Sequence, residues 1–158
     1  MVIIKAKDGG VVAGLSLTQV IFDVVDPTLS FQHFVADGES VGQGAVMSII
    51  KGSVFSMLQA ERVALNYLQH LCGIATYTDT IVGLISGTNC QLRDTRKTTP
   101  GLRIFEKNAV NVEASSKVDL NNLMKKVRDE EKKSKRASVY VSAAAVSALA
   151  VFGIILTL

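Results

Sequence analysis

Residues 94–107 gather the cations Arg96, Lys97, Arg103 and Lys107, the hydroxyls of Thr95, Thr98 and Thr99, and a Pro100-Gly101 turn signal. Phosphates and carboxylates are held by several charge-assisted hydrogen bonds in a fixed arrangement. Cations and hydroxyl donors set around a turn supply that arrangement. On composition alone the same run also reads as a solvated basic loop. Other chemistries find less support. Cys72 and Cys90 lack CxxC spacing, so the sequence predicts neither a zinc site nor a disulfide framework, but free thiols in a reducing compartment. A net charge of +3 gives no general affinity for nucleic acid.

The segment DTRKTTPGLRIFEKNAV, residues 94–110, resembles the signature of the quinolinate phosphoribosyltransferases, the nicotinate-nucleotide pyrophosphorylases of NAD biosynthesis. Gly14-Leu15, VADGESVGQGAVMSIIKGS (35–53) and AERVALNYLQHLCGIAT (60–76) resemble the same family in the same order. The resemblance implies transfer of a phosphoribosyl group from phosphoribosyl pyrophosphate to quinolinate with decarboxylation, assisted by magnesium. Both substrates are polyanions, for which preorganised cations are the natural catalysts. Carried over by motif, Arg96 and Lys97 would bind quinolinate carboxylates, with Thr95 and Lys107 as further candidates. Arg62 would bind those carboxylates too, reaching into the active site of a partner subunit in a homodimer. Arg103 matches the motif as well, either pointing into the site or bracing the loop.

The elements that must position these residues are legible in outline. Residues 2–5 are β-branched and meet the turn Asp8-Gly9-Gly10 before the apolar run 11–15, predicting two short strands or a strand and a turn. A helix is expected over 16–25, capped at Ser16 and stopped by Asp26-Pro27. Residues 29–35 and 45–50 read as strands. Helical spacing over 53–71 puts Leu58, Leu65, Leu68 and Cys72 on one face. Gly73 is expected to interrupt, with a second helix over 75–84. Residues 91–94 read as a short strand feeding the basic loop, which the resemblance makes the first strand of an α/β barrel, whose chemistry sits at strand carboxyl ends.

Beyond Val110 the sequence departs from the family. The His-Arg pair, the Lys-Asp-Asn-His strand and the acidic strand ends that hold magnesium have no counterpart. A full barrel takes roughly 200 residues or more, so turnover by these residues alone is not expected. Residues 117–136 are dominated by charge, and 138–158 form an uncharged stretch of 21 residues. At helical rise that length crosses a bilayer core of roughly 30 Å. The basic excess before it favours cytoplasmic retention of the preceding residues, as in a tail anchor. No signal peptide is read at the amino end.

The expected fold is thus an α+β amino-terminal open sandwich domain over 1–90, the truncated start of an α/β barrel over 91–116, a charged amphipathic linker over 117–137, and a transmembrane helix over 138–158. A membrane-anchored interaction or dimerisation module is the competing reading. It tolerates alanine at Arg62, Arg96 and Lys97, which a substrate site does not.

Overall fold

The computed structural model describes residues 1–111 and Lys132. Its centre is β5 (Val46–Lys51), flanked by two antiparallel neighbours in the order β1-β5-β3. On one side β1 (Val2–Lys5) pairs Val2 with Ile50 and Ile3 with Ile49, its register shifting between Ile4 and Lys5. On the other, β3 (Ser30–His33) pairs Phe31 with Ile50. Central placement fits the composition of β5, where Met47, Ser48 and Ile50 are all buried. Ser48 is not left unpaired, since its hydroxyl lies 2.7 Å from Nδ1 of His33, whose Nε2 lies 3.0 Å from Gln19 Oε1.

A small second ladder joins β2 (Gly10–Val11) to β4 (Ser40–Val41). It places Asp37 beneath the first turn of α1 (Leu15–Val25). The expected cap at Ser16 moves to Gly14, which takes a left-handed conformation at φ 93. The orphan N–H of Leu15 is satisfied from a distance, donating to Asp37 Oδ1 at 3.0 Å. Ser16 serves as a donor instead, its hydroxyl lying 3.4 Å from Asp37 Oδ2. Asp26 ends the helix as expected.

The long helix α2 runs from Val54 to Ile85 without a break, about 48 Å at helical rise. The interruption expected at Gly73 does not occur. A lone glycine costs about 1 kcal/mol within a helix, which tertiary packing overrides. Here Leu71 and Ala75, on either side, are buried, and Thr76 Oγ1 accepts the Val11 N–H at 2.9 Å. Of the face expected from the sequence, Leu68 is buried and Leu65 and Cys72 pack against the core, while Leu58 faces outward at 63% exposure. The fully buried residues are Met57, Ala60, Ala64, Leu68, Leu71 and Ala75. Alanines bring the helix close to α1, and Ile4, Val12, Leu15, Phe22, Leu29 and Ile50 complete the core. The ring of Phe22 meets Phe31 edge-on at 5.5 Å between centroids. The result is an α+β sandwich with one three-stranded sheet.

After α2 the expected strand over 91–94 is not formed. Those residues join no ladder among the described residues, since a lone strand has no neighbour to satisfy its backbone. The chain instead turns through the basic loop into α3 (Arg103–Val110), which buries Phe105, Glu106 and Ala109 and packs against α2. Among the described residues no helix is long and apolar enough to cross a membrane. The charged linker (117–137) and the apolar stretch (138–158) lie outside the described residues, Lys132 excepted.

Candidate functional site

The basic loop is shaped by its turn. Pro100 and Gly101, the latter at φ 80, are followed by Leu102, whose N–H donates to the Thr99 carbonyl at 3.0 Å. Proline followed by a positive-φ glycine is the type II pattern. The turn reverses the chain so that α3 packs back along the loop that precedes it. Arg103 thereby braces the loop. Its Nη1 donates to the Thr95 carbonyl at 3.0 Å, and its Nη2 lies 3.5 Å from Asp94 Oδ2. Lys107 Nζ is 4.0 Å from the same oxygen. That oxygen is shielded and accepts no hydrogen bond among the described residues, so these cations are what compensate it.

Beside the loop lies a cleft of about 340 Å³. Thr95, Lys97, Thr98 and Thr99 from the loop, Glu106 and Lys107 from α3, and His70 from α2 line it. Glu106 holds the floor together, its Oε1 lying 2.9 Å from His70 Nε2 and its Oε2 accepting the Thr99 N–H at 3.2 Å. Burial pushes its carboxyl pKa up, but the hydrogen bonds from His70 and Thr99 outweigh this and leave it below its ordinary value. Among the described residues neither Arg96 nor Lys97 makes an ion pair. Two cations without compensating carboxylates, beside hydroxyls and backbone donors, suit a carboxylate or phosphate ligand.

Of the residues expected from the sequence, Thr95, Lys97 and Lys107 meet at the cleft. Arg96 is exposed on the same loop but does not line it. Arg62 is exposed on α2, eight residues from His70 and so about 12 Å along the helix. His70, Asp94 and Glu106 were not anticipated as site residues, whereas Thr98 and Thr99 were named with the hydroxyls of the loop. Glu106 sits three residues after Arg103, a spacing that places both on one helix face. Nothing in the sequence joins either to His70.

Magnesium does not fit the carboxylates here. Asp94 faces Arg103 and Lys107, Glu106 is committed to His70 and Thr99, and among the described residues no three acidic, histidine or cysteine side chains cluster.

Residues 1–72 match the family model for the N-terminal domain of quinolinate phosphoribosyl transferase, and residues 74–117 match the model for its C-terminal domain. The chain is 44% identical over 104 residues to a probable nicotinate-nucleotide pyrophosphorylase [carboxylating] of Synechocystis, covering 66% of this chain and 35% of that one. It is 40% identical over 105 residues to the mitochondrial quinolinate phosphoribosyltransferase [decarboxylating] 2 of Nicotiana glauca, covering 66% and 29%. The crystal structure of NadC from Streptococcus pyogenes superposes with a TM-score of 0.67 at 45% identity, over 70% of this chain and 40% of that one. The structure of the nicotinate-nucleotide pyrophosphorylase from Francisella tularensis gives 0.67 at 32% identity, over 72% of this chain and 41% of that one. The chain thus spans about a third of the length of the curated relatives it matches. Matches to both domains of one family, running in order and carried into three dimensions, place residues 1–117 of the chain in the quinolinate phosphoribosyl transferase family.

Proposed function

We propose that this chain provides the quinolinate-binding half of a nicotinate-nucleotide pyrophosphorylase, the enzyme that joins quinolinate to phosphoribosyl pyrophosphate in NAD biosynthesis. The observation that carries this reading is the pair Arg96 and Lys97, without ion-pair partners among the described residues, beside a cleft lined by Thr95, Lys97 and Lys107. In this reading the pyridine dicarboxylate places its carboxylates against Arg96 and Lys97. Thr95 and Lys107 add a hydroxyl and a third charge at the mouth. Each charge-assisted contact contributes about 1.5–3 kcal/mol. Arg62, exposed and distant from the cleft, serves the cleft of a second copy in a homodimer. Phosphoribosyl pyrophosphate and its magnesium are held by residues other than those described. In this reading these 158 residues bind quinolinate and do not turn it over by themselves.

Calorimetric titration of the purified chain with quinolinate tests the reading, with saturable binding expected. An Arg96→Ala variant should weaken it by about tenfold or more. Heat changes that do not saturate, or that survive the substitution unaltered, refute the site. Phosphoribosyl transfer by the isolated chain refutes its restriction to binding.

A second reading, a non-catalytic interaction module, draws on a different observation. Val54, Phe55 and Leu58 expose 59%, 71% and 63% of their surface near the start of α2, an apolar strip of the kind that marks association surfaces. In that reading residues 138–158 anchor the module as a tail, leaving residues 1–136 in the cytoplasm, and alanine at Arg96 changes nothing the protein does.

A further inference from the structure

The loop that carries Arg96 and Lys97 is gripped at both ends by one face of α3. Arg103 and Glu106 are three residues apart and hence neighbours on the helix surface. Arg103 holds the entry of the loop through the Thr95 carbonyl and Asp94. Glu106 holds its exit through the Thr99 N–H. Between the two grips the Lys97 N–H donates to Thr95 Oγ1 at 3.1 Å, folding the intervening backbone on itself. Arg96 and Lys97 therefore project from a short arc whose two ends are fixed by the same helix.

The two grips differ in what secures them. Arg103 is partly exposed, and water can replace its contacts at little cost. Glu106 is 8% exposed, so its carboxylate requires protein partners on both oxygens. One oxygen takes the loop amide. The other takes His70 Nε2, which belongs to α2 and is anchored through the buried Leu68 and Leu71 on either side of it in sequence. Glu106 thus ties the loop to the core helix and not only to its own short helix.

The geometry points to Glu106, backed by His70, as the positioning residue that sets where Lys97 stands at the cleft and Arg96 beside it. The inference rests on the reading of that cleft as a quinolinate site, and it also makes a claim about the ligand-free chain. Both residues line the cleft, but the role inferred here does not depend on their touching the ligand. Their effect is transmitted through the Thr99 amide.

The test uses the whole chain and two readouts. Amide exchange at Thr99 is followed by NMR without ligand, and quinolinate affinity by calorimetry. Glu106→Ala should speed Thr99 exchange about tenfold or more and weaken quinolinate binding about tenfold. Glu106→Gln keeps an acceptor oxygen for the amide and should restore both to within about threefold. His70→Ala, on a helix surface whose packing it leaves intact, should speed Thr99 exchange by about threefold even if Glu106→Ala fails to fold. Unchanged Thr99 exchange in His70→Ala and in any folded Glu106→Ala overturns the positioning role, as does weakened binding that Glu106→Gln does not rescue. A wild-type chain that binds no quinolinate refutes the function proposed above, and the exchange measurement then still decides the grip.

Discussion

Replacing Gly73 by alanine should make the protein more stable. Gly73 lies within α2, and a Cβ built on it meets nothing within 4 Å. Alanine therefore adds no clash, while helix propensity improves by about 0.8–1 kcal/mol, part of it through a less flexible unfolded chain. For a domain of this size that gain raises Tm by about 4 °C. Gly14 provides the opposite case. Its φ of 93 disfavours any side chain, and a Cβ there would stand 2.6 Å from Leu71 Cδ1. Gly14→Ala should cost about 1–3 kcal/mol. Urea unfolding followed by far-ultraviolet circular dichroism measures both differences on one scale. A neutral or destabilising Gly73→Ala, with Gly14→Ala behaving as stated, would refute the argument, because it would mean that the backbone at residue 73 departs from helical geometry and that α2 is two helices.

Three further outcomes follow from the geometry. Asp37→Ala removes the acceptor for the Leu15 N–H and should destabilise by about 1 kcal/mol in the same urea assay, whereas Asp37→Asn keeps an acceptor and should cost less than half of that. Burial pushes the Cys72 thiol pKa up, while Cys90 is exposed, so a maleimide at mildly alkaline pH should modify Cys90 about tenfold faster or more, read by peptide mass mapping. Glu106 is held below its ordinary value of 4.5, so its stabilising contribution is fully present above that pH and is lost as pH falls through its lower folded-state value. The difference in urea midpoint between wild type and Glu106→Gln should accordingly be present at neutral pH and shrink in acid.

The sheet was largely readable because its signals are local. The strands around Phe31 and Ile50 carry β-branched or aromatic residues between turn residues, and their positions agree with expectation to within a residue or two. What failed in α2 depended on packing. Gly73 reads as a breaker only to a local rule, whereas its neighbours Leu71 and Ala75 are buried and Thr76 bonds to Val11 across 65 residues of sequence. On the face of α2 the expectation held for Leu65, Leu68 and Cys72 and failed for Leu58, because large aliphatics were expected inside where the small Ala60 and Ala64 are buried instead. At the site, the motif led to Thr95, Lys97 and Lys107. The supporting residues stayed hidden because Glu106 resembles any surface carboxylate until α3 folds back onto α2, and because His70 becomes its partner only across 36 residues. The role left open for Arg103 is resolved as bracing.

The two family models meet at residue 73, yet α2 passes through that point as one rod from Val54 to Ile85. A boundary drawn by sequence descent is therefore not a boundary for cutting. A fragment ending at residue 72 would lose Ala75 from its interior and the Thr76 hydroxyl that secures the β2 ladder, while a fragment beginning at residue 74 would lose the His70 that steadies its carboxylate. Exchange of modules between relatives, whether by recombination or by design, would preserve both halves only with junctions placed outside the helix, before Ser53 or after Ile85.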